Sequence, residues 1–337
     1  MMNKVYIQES TQKGHRKEKE DKVKDYTKKI REEITSSLVE AIKSGTAPWT
    51  RPWQGREAPK NVSGREYSGI NTLILTVKGM ELDGGRDPRW LTFCQANERG
   101  LKIKKGAKGT HVTLWKPFVG TNESNEEEAK DTKIVAVIQR FFTVFHASQV
   151  EGIDEYTPPP VNEIEAHETA EKIIRASQAR ILYGGGEAYY QPQNDFIQMP
   201  PKGDFRTSTG YYSVLLHELT HWTGHSSRLN RNLSGGRYSQ TYAREELVAE
   251  MGSMFISCAA KIPQSEEVFQ NHASYVDGWL ECIKNDPNAI FKAAADANRA
   301  ADYILKNAGI QNEAKDEAKD GAKDDTEEKS QQKKDSN

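Results

Sequence analysis

Hydrophobic residues near the start of the chain recur with the period of an α-helix. Between Tyr26 and Lys43 an isoleucine or leucine stands at every fourth position: Ile30, Ile34, Leu38 and Ile42. Residues four apart lie on one side of a helix, so this segment is predicted to be helical, with Gly45 ending it and Pro48 following. The next stretch, 48–71, is rich in Gly, Pro, Ser and Asn and predicts loops.

Two later segments, 110–118 and 134–146, alternate in a way that is typical of β-strands. The acidic insert between them, TNESNEEEAKD (121–131), predicts a long exposed hairpin loop. A short helix is expected from Thr92 to Arg99, because Gly100 closes that pattern.

The second half of the chain is predicted to be mostly helical, with a β-hairpin near 187–199. The fold class is therefore α+β, with an N-terminal α+β domain and a mostly helical second domain that carries a small hairpin or sheet. The two ends lack an apolar face and are predicted to be disordered. The predicted boundaries are 1–24 for the N-terminus, 25–150 for the first domain, 151–163 for a Pro-rich linker, 164–310 for the second domain and 311–337 for an EAKD-rich tail.

Charge separates the two halves of this 337-residue chain, although its net charge is only −2. Residues 1–118 carry 24 Lys and Arg against 14 Asp and Glu, a balance of +10, so the remainder carries −12. A basic half favours a polyanionic partner. No apolar run of the sequence is long enough to span a membrane, its first twenty residues lack the apolar stretch of a secretory signal, and its three cysteines are far apart, so we expect a soluble cytoplasmic protein.

The sequence HELTH predicts a metal site in the second domain. His217 and His221 are four residues apart, so on a helix both imidazoles lie on one face and can bind one Zn²⁺. Glu218 would then act on a water at that ion as the catalytic base. Mn²⁺ and Co²⁺ also accept nitrogen and oxygen ligands, so the metal is left open between these and Zn²⁺.

A third protein ligand is expected from the segment YAREELVAEMGSMF. Glu246 and Glu250 are four residues apart, and such a pair after HExxH resembles the arrangement in gluzincin metallopeptidases. The resemblance implies Glu246 as the ligand, while Glu250 and Glu245 are either alternative ligands or carboxylates that orient a histidine. The small residues nearby, Gly252 among them, would let this helix approach HELTH closely. Tyr242 and Tyr275 are the candidates for stabilising an oxyanion.

Tryptophans and cations are concentrated in the basic half. Aromatic faces that stack on bases and cations that pair with phosphates are what a protein needs to bind single-stranded DNA. The candidate DNA-binding residues are Trp49, Arg51, Trp53, Lys60, Arg65, Tyr67, Asn71, Arg89, Trp90, Lys102, Lys104, Lys105, Lys108 and Trp115.

Long segments of the chain resemble the ArdC-like antirestriction proteins, which are related to the N-terminal part of plasmid TraC-type primases. The resembling segments are SGTAPWTRPW (44–53), GREYSGIN (64–71), RWLTFCQAN (89–97), KKGAKGTHVTLWKP (104–117), AYYQPQNDFIQMP (188–200), YYSVLLHELTHWTGHSSRLNR (211–231) and YAREELVAEMGSMF (242–255). The resemblance implies a single-stranded-DNA-binding domain followed by a zincin-like metallopeptidase domain of the gluzincin type. It also implies a role in protecting incoming plasmid DNA, as in conjugation, from host restriction.

Three functions stay open at this point. The protein could protect DNA by binding it, with a metal-loaded second domain; it could be a zinc metallopeptidase that cleaves a restriction enzyme or another DNA-bound protein; or its metal could be purely structural. Replacing Glu218 distinguishes the last two, because a structural metal does not need a catalytic base.

Overall fold

The computed structural model describes residues 25–45, 47, 57–120, 133–158, 163–236, 239–263 and 273–310, and for 115–120, 133–138, 163–164 and 273–275 it describes the backbone only. The described chain has the predicted α+β class. The tail, the N-terminal 24 residues, the acidic insert and three predicted DNA-binding residues lie outside the described residues, the three being Trp49, Arg51 and Trp53.

The first domain is built around a four-stranded sheet. Helix α1 covers residues 25–43, and the domain continues through β1 (Lys60–Asn61), α2 (Ile70–Asp83), β2 (Arg89–Leu91), α3 (Phe93–Glu98), β3 (Lys102–Ile103), β4 (Thr110–Gly120), β5 (Lys133–His146) and β6 (Val150–Glu151). The sheet order is β1-β2-β5-β4, in which β1 and β2 are parallel and the other neighbours antiparallel. Strands β3 and β6 form a separate antiparallel pair.

The second domain packs helices against a three-stranded sheet. Its elements are α4 (Glu163–Ser177), β7 (Arg180–Tyr183), β8 (Tyr189–Gln191), β9 (Phe196–Met199), α5 (Ser208–Trp222), α6 (Gln240–Ala259), α7 (Ala273–Asn285) and α8 (Ala289–Asn307). Strand β9 lies in the middle, parallel to β7 and antiparallel to β8. Strand β8 is therefore an outer strand of this sheet.

One apolar core joins the two predicted domains. The apolar faces of α1 and α2 belong to the same buried cluster as those of α5, α6 and α8, with Ile34, Leu38, Leu73, Leu215, Leu247 and Ile290 among its members. Arg31 of α1 also donates a 2.8 Å hydrogen bond to Asn288 Oδ1, and its guanidinium lies 5.0 Å from the centre of the Phe291 ring. Helix α1 is thus packed as part of the second domain's core, and the boundaries predicted from composition remain a prediction.

Most predicted elements are present, and one helix was missed. The helix at 26–43, the strands at 110–118 and 134–146, the short helix after Thr92 and the hairpin near 187–199 are confirmed. Helix α2 was not predicted. Its residues 70–75 are buried in succession although they include the polar Asn71 and Thr72, so the order of polar and apolar residues there shows no amphipathic period. Among the helices described, none combines the length and the apolar character needed to cross a membrane.

A candidate metal centre between two helices

Helix α5 presents the two histidines of HELTH on one face. The helix begins after Thr207, whose hydroxyl accepts a 3.0 Å hydrogen bond from the backbone N–H of Gly210. Leu215, Leu216 and Leu219 are fully buried and fix the orientation of the helix in the core. His217 and His221 therefore point to the same side, as their spacing predicts, and their ring centres are 4.8 Å apart.

Helix α6 lies very close to this face. A Cβ atom added to Gly252 would stand 2.5 Å from Cγ2 of Thr220 in α5, a distance that real Cβ atoms essentially never show. Glycine at this position therefore allows the close approach that was expected from the small residues. The approach brings Glu245, Glu246 and Glu250 of α6 into contact with the two imidazoles.

Three donor groups converge between the helices. Nε2 of His217 lies 3.2 Å from Nε2 of His221 and 3.5 Å from Oε2 of Glu246, and the remaining pair, His221 Nε2 and Glu246 Oε1, is 3.6 Å apart. Ligands bound tetrahedrally at 2.0–2.1 Å from a zinc-sized ion stand ~3.4 Å from one another. The observed separations therefore fit a single divalent cation.

The other nitrogen of each imidazole faces a carboxylate. Nδ1 of His217 is 3.2 Å from Oε1 of Glu250, and Nδ1 of His221 is 3.2 Å from Oε1 of Glu245. Carboxylates in this place favour the proton on Nδ1, which leaves the lone pairs of both Nε2 atoms directed at Glu246. With neutral imidazoles, two nitrogen lone pairs and the Glu246 carboxylate face one point, an arrangement that suits a bound cation. Glu245 and Glu250 stand where carboxylates that orient histidine ligands are found.

Arg231 holds one of these orienting carboxylates, and no pattern in the sequence indicates this role. Its Nη2 and Nε donate to the two oxygens of Glu245 at 2.7 and 3.0 Å, while Nη1 and Nη2 also bind Thr223 Oγ1 and the Thr220 carbonyl, each at 2.7 Å. This arginine ties the end of α5 to the start of α6 and keeps Glu245 in place against the imidazole.

Burial and opposite charges act together on the pKa values of this centre. Burial would lower the pKa of His217, but the carboxylates of Glu250 and Glu246 raise it well above the ordinary value. Burial would raise the pKa of Glu246, yet the two imidazoles and the Tyr242 hydroxyl lower it to about 2. Glu246 is thus ionised at neutral pH, as a metal ligand must be.

Glu218 has the opposite shift. It is buried, and burial raises its pKa above the ordinary value, partly offset by the imidazoles and by the backbone N–H of Tyr190. A carboxylate with a raised pKa next to the three donors is suited to accepting and returning a proton. Strand β8, which contains Tyr190, therefore lies beside the candidate catalytic base.

The two tyrosines predicted to stabilise an oxyanion have different outcomes. Tyr242, in the first turn of α6, interacts through its hydroxyl with Glu246. That contact engages the hydroxyl with a predicted ligand, so the structure favours an orienting role over oxyanion stabilisation for Tyr242. The side chain of Tyr275 lies outside the described residues.

Comparison with known proteins covers both halves of the chain. Residues 28–145 match the family model of the N-terminal domain of anti-restriction factor ArdC, and residues 168–296 match that of a zincin-like metallopeptidase. The crystal structure of metal-free antirestriction protein ArdC from the R388 plasmid is 33% identical, with a TM-score of 0.67 over 83% of this chain and 97% of that one. Its Mn(II)-bound form is 33% identical, with a TM-score of 0.66 over 82% of this chain and 97% of that one.

This chain belongs to the ArdC family.

Other relatives of this ArdC-family chain extend the comparison. An uncharacterized protein, y4eC, of Sinorhizobium fredii (strain NBRC 101917 / NGR234) is 35% identical over 82% of this chain and 91% of its own length. Two proteins named DNA primase TraC, from Escherichia coli, are 37% and 36% identical over 82% of this chain, but only over 27% and 20% of their own length. The chain therefore spans about a quarter of the TraC proteins or less.

Two residues predicted to bind DNA belong instead to the interior of the ArdC-type N-terminal domain. The Trp90 side chain is 1% exposed and packs edge-on against His146, with ring centres 4.9 Å apart. Asn71 is buried, and its side-chain amide exchanges two 2.7 Å hydrogen bonds with the backbone of Thr113. Both predictions are corrected, because a buried indole cannot stack on a base and the amide of Asn71 is already satisfied within the core.

Three more predicted residues have partners within the protein. Lys60 binds Glu57 at 2.8 Å, Arg89 binds Asp87 at 2.7 Å, and Tyr67 packs against the small core around Trp90. Arg65 is half-buried. Strand β4 contains Trp115, whose side chain is outside the described residues.

The lysines after α3 are exposed as a DNA-binding surface requires. Lys102, Lys105 and Lys108 are exposed, and Lys104 is exposed while its Nζ donates to the Ser148 carbonyl at 2.8 Å. Sequence reasoning missed one aromatic residue here: Phe93, the first residue of α3, is 52% exposed. Phe93 was overlooked because the sequence analysis concentrated on tryptophans, although Phe93 lies in the same RWLTFCQAN segment as Trp90.

Proposed function

We propose that this chain is an antirestriction protein that binds single-stranded DNA through its basic N-terminal domain and hydrolyses a peptide bond at a divalent metal ion. The convergence of His217, His221 and Glu246 carries the hydrolytic half of this proposal. The metal-free and Mn(II)-bound forms of the related R388 protein support a site that accepts a divalent cation. The nitrogen and oxygen donors suit Zn²⁺, Mn²⁺ or Co²⁺.

In this proposal each residue of the centre has one task. His217, His221 and Glu246 would hold the ion, which would polarise the scissile carbonyl and make an attacking water acidic. Glu218 accepts the proton of that water on its carboxylate and delivers it to the leaving amine. Glu245, Glu250 and Arg231 keep the imidazoles oriented throughout.

The proposed DNA-binding surface consists of the exposed lysines Lys102, Lys104, Lys105 and Lys108 together with Phe93. Lysine ammonium groups would neutralise phosphates, and an exposed phenylalanine ring would stack on a base without reading its identity. Arg65 and Trp115 remain predicted members of this surface. The related ArdC structures and the N-terminal family match support DNA as the partner only at the level of the family.

The hydrolytic half is tested on the purified full-length chain. Metal content, casein cleavage and oligonucleotide binding are measured for the wild type, for Glu218→Gln and for His221→Ala. We expect Glu218→Gln to retain the metal and lose cleavage, and His221→Ala to lose both. Cleavage that persists in Glu218→Gln would refute the assigned base, and a metal-loaded wild type without cleavage on a broad peptide library would leave the metal a structural role.

The DNA half is tested by titrating a fluorescent oligonucleotide with the same protein. Phe93→Ala should weaken binding by the ~1–3 kcal/mol that stacking on one base contributes, that is about 5- to 150-fold. Phe93→Tyr, which keeps an aromatic face, is the matched control and should bind like the wild type. Equal affinities for all three proteins would exclude Phe93 from the surface.

A further inference from the structure

Arg228 joins two parts of the second domain that the sequence separates by more than thirty residues. It donates to both carboxylate oxygens of Asp195, one of them at 3.0 Å, and to the Tyr190 hydroxyl at 3.3 Å. Its Nε donates to the carbonyl of Trp222 at 2.7 Å. The turn between β8 and β9 is thereby connected to the last residue of α5.

The environment of Arg228 makes this connection rigid. Its side chain is only 8% exposed, and its guanidinium lies 3.8 Å from the centre of the Trp222 ring. A planar guanidinium that is stacked on an indole and bound at both ends of its fork keeps one orientation. Lysine could reproduce the charge but neither the fork nor the stacking.

Asp195 completes the connection from the strand side. It has a positive φ of 49°, a conformation that Asp and Asn adopt more readily than other non-glycine residues. One carboxylate oxygen also accepts a 2.8 Å hydrogen bond from Tyr190, and hydrogen bonding from Arg228 lowers the pKa of this carboxylate. The turn is thus held in a left-handed conformation by the group that binds Arg228.

The other side of β8 faces the candidate catalytic centre. Tyr190 pairs with Ile197 of the central strand, and its backbone N–H lies against the Glu218 carboxylate. Strand β8 is an outer strand of the order β7-β9-β8, and it packs against α5 together with the central strand β9. The turn that Arg228 binds follows this strand directly.

We infer that Arg228 and Asp195 form a clamp that positions the outer strand β8 beside Glu218 of the HELTH helix. Arg228 is a positioning residue, since it contacts neither the three metal donors nor Glu218 in the described structure. The inference rests on the proposed function only where it concerns catalysis. The position of the strand itself can be measured without any enzymatic activity.

The test follows amide hydrogen exchange by mass spectrometry in the full-length protein. Arg228→Met keeps the aliphatic stem and removes the fork, so exchange in the segment 186–199 should become at least about tenfold faster. Exchange in 208–219, the part of α5 before the residues that Arg228 contacts, should not change. The content of added Zn²⁺ should not change either, because the metal donors are untouched. Arg180→Met, which removes an exposed arginine of the same sheet, is the matched control and should exchange like the wild type.

Two further variants should give intermediate rates of amide exchange in the segment 186–199. Asp195→Asn keeps a residue that tolerates the left-handed turn but lacks the charge, so its exchange should fall between those of the wild type and Arg228→Met. Arg228→Lys should recover less than half of the protection that Arg228→Met removes. Unchanged exchange at 186–199 in Arg228→Met, or an equal acceleration across 186–199 and 208–219, would overturn the clamp.

Catalysis gives an independent readout. If Glu218→Gln abolishes peptide cleavage, Arg228→Met should lower kcat/KM with unchanged metal content, and Arg228→Lys should restore part of it. If Glu218→Gln leaves cleavage intact, the proposed base is wrong, while the exchange result still decides whether the clamp exists.

Discussion

The metal centre and the basic N-terminal surface were both predicted from residue types, but the structure agrees with the first prediction more fully than with the second. In the centre, His217, His221 and Glu246 come together within 3.6 Å of one another. In the basic region, Trp90 and Asn71 turn into the core while the lysines after α3 stay exposed. A motif with fixed spacing on a helix constrains geometry, whereas a local excess of aromatic and basic residues constrains only composition.

The largest expected effect is the release of metal from the first of these regions. His221→Ala removes one of three protein donors and should weaken Zn²⁺ binding more than ~100-fold, since removing merely an orienting partner already costs 10–100-fold. Metal content after dialysis measures this. His225→Ala, which changes a histidine beyond the end of α5, is the control and should keep the metal. Equal metal content in both variants would show that the three donors do not form the site.

The second prediction concerns Trp90, which the composition of the basic half had suggested as a DNA-binding residue. Trp90→Ala should reduce the free energy of unfolding by about 3–5 kcal/mol, because it leaves a cavity against His146 and the neighbouring core. Denaturant titration measures this value. Phe93→Ala, at an exposed position, should change the same quantity by less than about 0.5 kcal/mol. A Trp90→Ala protein of normal stability with weaker DNA binding would reverse our correction.

These two regions also show how far sequence reasoning reaches. The placement of both HELTH histidines on one face follows from helix geometry, whereas the choice of the helix with Glu246 came from the resemblance to gluzincins. The structure brings these groups together and shows the close helix approach at Gly252. Arg231 and Arg228 could not be found in this way, because their partners Glu245 and Asp195 are 14 and 33 residues away. Their roles come from tertiary packing. Helix α2 was missed for the related reason that it is buried on most sides.

The third prediction sharpens the role of Arg231 in the metal centre. Arg231→Met removes the hydrogen bonds that hold Glu245 against Nδ1 of His221, so Zn²⁺ affinity should fall by about 10–100-fold. Competition with a fluorescent chelator measures the affinity. Arg206→Met, an exposed position before α5, should bind like the wild type. Unchanged affinity in Arg231→Met would mean that Glu245 does not orient the histidine.

The smallest effect is expected at the lysines of the basic surface, and it concerns the salt dependence of DNA binding. In the triple variant Lys102→Gln, Lys105→Gln and Lys108→Gln, the dependence of log binding constant on log salt should become shallower by ~0.7 for each phosphate that is no longer neutralised, or by ~2 for all three. Single-stranded oligonucleotide binding at four salt concentrations measures this slope. A second triple variant, at the exposed Lys172, Lys284 and Lys306 of the second domain, provides a match in charge. If the two triple variants gave the same slope, the net charge of the protein would account for binding. The lysines after α3 would then contribute no more to DNA binding than lysines elsewhere. If only the first triple variant changed the slope, composition would have identified the correct surface despite its errors at Trp90 and Asn71.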